Sequence, residues 1–397
     1  MTYINAVKYI LSLPNEDDSA REAEVTERMR TVCEALGDPQ KKLKFVHSCG
    51  DVGKDSCFSM LESVLRQTPL KVGRCFLPKG NEPREWISIN QKIISHAEFS
   101  DAVKTVSKLY KARFKDAIPT RREVMILAAM LHFAGNGCDL VLLEKSYDKS
   151  HAAAVTEPPL VSLLTPFLGR EMPIALFEHL IPKGTAECVS SPQHKDIFNG
   201  ISSACVTAGS RLTLPIYSEM EIKSITLFKT EFSYRGESYS LRSFSPCQTI
   251  NAITAIEVVN ALNRCGFSIE GEAVRRGLFL TNLDGKCETV SIDPTVIVST
   301  SYKKDRIDTL VASLAQVKEQ FSGELQVIAD NECSIDLSAL SYSLTAHEIP
   351  HLSPTSASFD DAVKCLKADT LAPPTLLLGS KDFITKAKSA LGSLLGR

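Results

Sequence analysis

The 397-residue chain lacks several features that would settle its class at once. None of its twelve cysteines forms a C-x-x-C pair, which argues against a zinc ribbon, and a disulfide framework is not expected in so long a chain. The thiols, scattered from Cys33 to Cys365, read instead as small apolar residues of a cytosolic protein. No apolar run reaches the length of a membrane span, and the opening MTYINAVKYILSLPNEDD has no signal-peptide pattern. A surplus of positive charge is missing too. With 45 Lys and Arg against 47 Asp and Glu, the net charge of −2 leaves no basic stripe for a nucleic acid. There is no internal repeat and no low-complexity tract. What remains is expected to be a soluble, cytoplasmic globular protein, 44% apolar and 23% charged, long enough for two domains.

Apolar periodicity supplies the element order. Residues 3–13 and 18–36 have helical spacing, and a strand, loop and helix follow across 43–67. LKVGRCF (70–76) reads as a strand, EWISINQKIIS (85–95) as a short extended segment, and 100–114 as a helix. A helix beginning at Pro119 and Thr120 leads through a glycine turn into a buried strand at 139–144. Such alternation implies a mostly parallel sheet flanked by helices. The stretch 224–244 alternates like antiparallel strands, with Arg235-Gly236 as the turn. Helices are expected at 249–265 and 270–278. Near residue 290 the pattern resets into a smaller α/β unit, with strands at TVIVSTS, LQVIA and TLLLGS and helices at 303–321, 335–343 and 358–368.

One stretch carries chemistry. FVHSCGDVGKDSC (45–57) has an apolar lead, then Gly50, Gly53, Lys54 and Ser56, then an apolar run at helical spacing. That is the order of a phosphate-binding loop, in which a strand and a glycine turn deliver the first amides of a helix to an anion. Asp51 and Asp55 place two carboxylates in the same turn. A carboxylate about 4 Å from a phosphate oxygen costs roughly 1–4 kcal/mol, so weak ATP binding is expected.

The stretch from LGDPQKKLKFVHSCGDVGKDS through EWISINQKIIS resembles the start of folylpolyglutamate synthase, of the Mur ligase superfamily. There the order is strand, G-T-N-G-K-G-S loop, helix, strand, S-P-H-L and an R-E-R-I-x-I-N-G segment. The likeness continues through EVMILAAMLHFAGNGCDLVLLE, IPKGTAECVSSPQ and CQTINAITAIEVVNALNRCGFSIEGEAVRRGL, and more faintly to DPTVIVSTS and PTLLLGSKDF. It implies an α/β protein with a P-loop Mur-ligase ATP-binding domain over 1–290 and a smaller Rossmann-like ligase domain over 291–397. It also implies use of ATP and Mg2+ to phosphorylate a carboxylate, which an amino acid then attacks to form an amide. On this likeness Gly50, Gly53, Lys54, Ser56, Gln248 and Asn251 are the nucleotide-binding positions, and Ser56 and Glu144 the metal ligands.

Other positions depart from the pattern. S-P-H-L is Leu77, Pro78, Lys79 and Gly80. The glycine-rich segment after the metal glutamate is KSYDKSHAAAVT, where Asp148 and His151 miss the aspartate position. Phe177 stands where the resemblance places a carbamylated lysine, and His179 is out of register with the metal-binding histidine. D-G-A-H-N-P becomes Ser299, Thr300, Ser301, Tyr302, Lys303 and Lys304. The resulting expectation is a pseudoenzyme. It would be a folylpolyglutamate synthase-like homologue with a degraded catalytic centre that binds nucleotide, a folate-like or amino-acid metabolite, or a protein partner. The alternative is an active ATP-dependent amide ligase adding an amino acid such as glutamate to a carboxylate. A third reading is an interaction protein that binds no nucleotide.

Overall fold

The strand expected before the loop is Phe45–Cys49 (β1), buried along its whole length. It lies inside an eight-stranded sheet whose other members are Val72–Cys75 (β2), Ile87–Ile89 (β3), Lys92–Ile93 (β4), Leu140–Glu144 (β5), Val161–Leu164 (β6), Glu187–Ser190 (β7) and Arg211–Thr213 (β8). The order is β4-β3-β2-β5-β1-β6-β7-β8. Pairing is parallel from β2 to β8, while β3 and β4 add an antiparallel edge beyond β2. Buried on both faces, β5 reads as an apolar run up to Glu144 rather than an alternating one, while β1 buries His47 and Ser48 among its apolar residues. This is a computed structural model, and it describes residues 1–14, 22–76, 82–114, 117–145, 151–169, 172–300, 304–366 and 373–394.

The helices follow their local signals. His96–Arg113 begins four residues earlier than the apolar spacing suggests, because Ser95 and Glu98 form a reciprocal capping box. Thr120 and Glu123 cap Arg121–Gly135 in the same way. Glu123 is fully buried, and its carboxylate also accepts from Arg28 and Tyr110. The helix Lys54–Leu65, which follows the loop, is braced at its far end from much later in the chain. Ser63 Oγ donates to Gly277 O at 2.8 Å, and a Cβ on Gly277 would lie 2.3 Å from Val64 Cα.

By compactness the chain forms two units, Met1–Pro215 with Ile253–Gly277, and Ile216–Ala252 with Leu278–Arg397. The second unit holds an antiparallel sheet of Met220–Ile225 (β9), Thr230–Tyr234 (β10) and Glu237–Leu241 (β11), ordered β11-β10-β9. It also holds Glu288–Ile292 (β12), Thr295–Ser299 (β13), Gln326–Asp330 (β14), Thr355–Ala357 (β15) and Thr375–Leu378 (β16), ordered β12-β13-β16-β14-β15. The pattern reset near residue 290 therefore falls inside β12. The small antiparallel sheet groups with the later residues because Leu227 and Phe244 share one core with Ile297, Leu310 and Val327. Among the described residues, no helix is long and apolar enough to cross a membrane.

Candidate functional site

In an open parallel sheet the C-terminal ends of the strands, and the loops that leave them, are where ligands gather. The turn after β1 is built from glycine because nothing else fits. Gly50 has φ +134° and Gly53 φ +86°, both in the left-handed region. A Cβ on Gly50 would stand 2.3 Å from Thr165 Oγ1 and 2.5 Å from Thr165 O. The segment after β6 clasps this turn: Asp51 N and Val52 N both donate to Pro166 O, at 2.9 and 3.4 Å. Gln193 holds the clasp by donating to Thr165 O at 3.0 Å and accepting from Phe167 N at 3.1 Å. Gly53 then caps the helix Lys54–Leu65 without a side chain to occupy its first-turn amides.

Lys54 Nζ lies 3.1 Å from Glu144 Oε1, at the end of β5, with both side chains largely buried. Ser56 is buried in the first turn of the same helix. The fold thus brings Gly50, Gly53, Lys54, Ser56 and Glu144 together at the C-terminal ends of the neighbouring strands β1 and β5. The two carboxylates that were expected to oppose a phosphate are engaged sideways. Asp51 Oδ2 accepts from Leu168 N at 2.8 Å, and Asp55 Oδ1 accepts from Arg74 Nη2 at 2.8 Å.

No known family profile matches the chain. Curated relatives do. A probable bifunctional folylpolyglutamate synthase/dihydropteroate synthase of Halobacterium salinarum is 23% identical over 333 residues, 80% of this chain and 40% of that protein. The dihydrofolate synthase/folylpolyglutamate synthase of Bacillus subtilis is 24% identical over 314 residues, 73% of this chain and 71% of the relative. The chain therefore spans less than half of the longer, bifunctional relative. Among solved structures, the apo folylpolyglutamate synthase of Lactobacillus casei superposes with a TM-score of 0.81 at 22% identity, over all of both chains. The Thermotoga maritima folylpolyglutamate synthase gives 0.78 at 18% identity, over all of this chain and 97% of its own. Curated relatives of this chain are thus folylpolyglutamate synthases, and its fold is that of the solved folylpolyglutamate synthases.

The positions at which the sequence departs from the folylpolyglutamate synthase pattern can be located in the fold. Phe177, at the position of the expected lysine, is 1% exposed in the helix Ile174–Leu180. Its ring meets Phe167 edge-on at 6.2 Å, and a Cβ on Gly200 would lie 2.5 Å from Phe177 Cδ2. The ring fills a niche that glycine leaves open. His179, two residues on, contributes a backbone carbonyl: with Glu157 it accepts from the ammonium of Lys145, a lysine only 1% exposed. Lys145 directly follows Glu144, so the two side chains leave β5 on opposite faces.

Nearby, His47 Nε2 donates to Thr156 Oγ1 at 2.8 Å, since Thr156 gives its own proton to Ala153 O at 2.6 Å. Burial, and then the charges of Lys145 and His179, push the His47 pKa well below the ordinary imidazole value, so it stays neutral. Burial likewise drives the Cys49 thiol up to about 12, outweighing the neighbouring lysines, so it is no nucleophile.

Gln248 and Asn251 fall in the second unit, one turn apart on the helix Pro246–Arg264. The structure joins them to each other, Asn251 Nδ2 donating to Gln248 Oε1 at 3.1 Å, and both are buried. Ser299 ends β13, fully buried, while Thr300 donates through both N and Oγ1 to Gly285 O, at 2.7 and 3.0 Å. Leu77 to Gly80, Asp148 and Ser301 to Lys303 lie outside the described residues, as do the side chains of His151 and Lys304.

Ser56 and Glu144 are hard oxygen donors of the kind that suits magnesium held mainly by phosphate and water. They fit a metal that arrives with a nucleotide. Among the described residues, no three His, Cys, Asp or Glu side chains converge as a metal cage. Arg74 and Lys145 escaped the sequence reading, although each had a signal. A charge in or at the end of a buried parallel strand needs a partner, as Arg74 does in LKVGRCF and Lys145 in DLVLLEK.

Proposed function

We propose that the chain is a folylpolyglutamate synthase-like protein with a degraded catalytic centre, working in the cytoplasm as a non-catalytic or altered nucleotide- or metabolite-binding protein. Its sequence domains are taken as 1–290 and 291–397. The observation that carries this reading is Phe177: at the position of the expected carbamylated lysine stands a ring packed into the core against Phe167 and Gly200. Losing one transition-state contact costs on the order of 10²–10³ in rate, and here a metal ligand and the D-G-A-H positions are replaced as well.

Nucleotide binding is supported by the retained turn. Gly50 and Gly53 hold the left-handed geometry, and Lys54 stands beside Glu144 to receive phosphate with a magnesium ion. Among proteins of this fold, folylpolyglutamate synthase has been solved in a complex with AMPPCP and folate, and the Mycobacterium tuberculosis enzyme with ADP and AMPPCP. The same turn favours the second reading, an active ATP-dependent ligase for an amino acid and a folate-like carboxylate.

Calorimetric titration with ATP and magnesium, followed by an assay of ADP release with glutamate and folates, separates the readings. Binding without substrate-dependent ADP release is the expected result. Folate- and glutamate-dependent turnover would establish the ligase. Absence of binding would leave the interaction protein.

A further inference from the structure

Asp55 occupies the first turn of the loop helix, where the helix N-terminus favours any negative charge, a phosphate included. A carboxylate there competes with the ligand unless something turns it aside. Arg74, on β2, does so. Its Nη2 lies 2.8 Å from Asp55 Oδ1, and its Nη1 lies 3.0 Å from Glu62 Oε2 and 3.4 Å from Ser59 Oγ. The guanidinium also stacks over Phe76 at 5.0 Å. Glu62 is the anchor: its side chain is 1% exposed, and its other oxygen accepts from Gln91 N at 2.9 Å. One end of Arg74 is thus fixed in the protein interior, while the other holds a carboxylate that is 45% exposed.

We propose that Arg74 is the positioning residue of the loop, holding the Asp55 carboxylate off the anion path so that a phosphate group can reach the helix N-terminus. Resting on the reading that the loop binds nucleotide, it makes the acidic turn and the distant arginine one device. Asp55 is kept out of the way by a charge delivered from the neighbouring strand.

A double-mutant cycle tests this, read by titration of ADP with magnesium into wild type, Arg74→Gln, Asp55→Asn and the double variant. Arg74→Gln weakens binding about tenfold, the effect of one released carboxylate near a polyanion. Asp55→Asn then tightens binding about tenfold more in the Arg74→Gln background than in wild type. An arginine that merely braced the fold would not be rescued by a change at residue 55.

If Arg74→Gln does not fold because Glu62 is left buried alone, Glu62→Gln combined with Arg74→Gln carries the same expectation. Equal effects of Asp55→Asn in both backgrounds, or an Arg74→Gln variant that binds like wild type, would overturn the proposal. Wild type that takes up no ADP would instead overturn the nucleotide reading, and this proposal with it.

Discussion

The loop Gly50–Ser56 and the helix Ile174–Leu180 belong to one compact unit, yet they depart from the ligase pattern in opposite ways. At the loop, a position that is neutral in the pattern has become Asp55, and its charge is absorbed by Arg74. At the helix, the position where the resemblance expects a charge is Phe177, and its ring is absorbed by the niche at Gly200. The difference follows from what each place is made of. The loop works through backbone geometry, which the fold needs in any case: Gly50 cannot gain a Cβ against Thr165. At the helix the expectation rests on one side chain, and Phe177 makes that side chain part of the core.

Putting the charge back at the helix breaks the comparison most severely. Phe177→Lys would empty the niche and bury an ammonium among Phe167, Leu180 and Gly200. A loss of about 4 kcal/mol is expected, with no gain of glutamate-dependent ADP release. Urea denaturation beside the ADP assay reads both; a stable variant that turns over would mean that the lysine position is still in use.

At the loop the largest effect comes from Lys54→Ala, which should cost roughly 2–3 kcal/mol of nucleotide affinity, on the order of 100-fold. Unchanged affinity in titration would move the ligand elsewhere. His47 reports on the buried face of β1. Its folded pKa lies below the unfolded value of 6.5, so the unfolded chain takes up a proton that the folded one refuses. Stability is then fully kept above pH 6.5 and falls as the pH drops below it, by up to about 1.4 kcal/mol per pH unit. Comparing urea unfolding at pH 7 and pH 5 for wild type and His47→Gln isolates this slope, and parallel curves would refute it.

The smallest expected effect is at Asp51. Its carboxylate already accepts from Leu168 N, so Asp51→Thr should tighten ATP binding only a few-fold, and less at high salt. A tenfold gain would show that the carboxylate faces the phosphate after all.

Much of the candidate site was legible because its signals are local. Glycines at 50 and 53, a lysine, a hydroxyl and a preceding apolar strand can be read in one glance along the chain. Glu144 follows from the strand that ends in it. The pairings were not legible. Arg74 meets Asp55 across 19 residues, and Lys145 meets the carbonyl of His179 across 34, with no periodicity to announce either. For the same reason, nothing at Asp55 itself reveals that its charge is spoken for. The early start of His96–Arg113 was a different kind of miss: the Ser95 and Glu98 box was present in the sequence, and apolar spacing alone overlooks it. The sheets were easier. Buried runs such as LVLLE and TLLL identify central parallel strands, whereas short edges such as Thr355–Ala357 carry almost no pattern.

The contact between Gly277 and the loop helix bears on how the protein is made. Synthesis runs from the N-terminus, so the ribosome releases Lys54–Leu65 more than two hundred residues before Gly277 exists to close over Val64. Until then the helix lacks the backbone wall that fits it and the carbonyl that takes the Ser63 proton. A nascent chain stopped at residue 215 would carry every loop residue and still lack part of the loop helix's seat. The loop helix is written early in the chain and its seat is finished late.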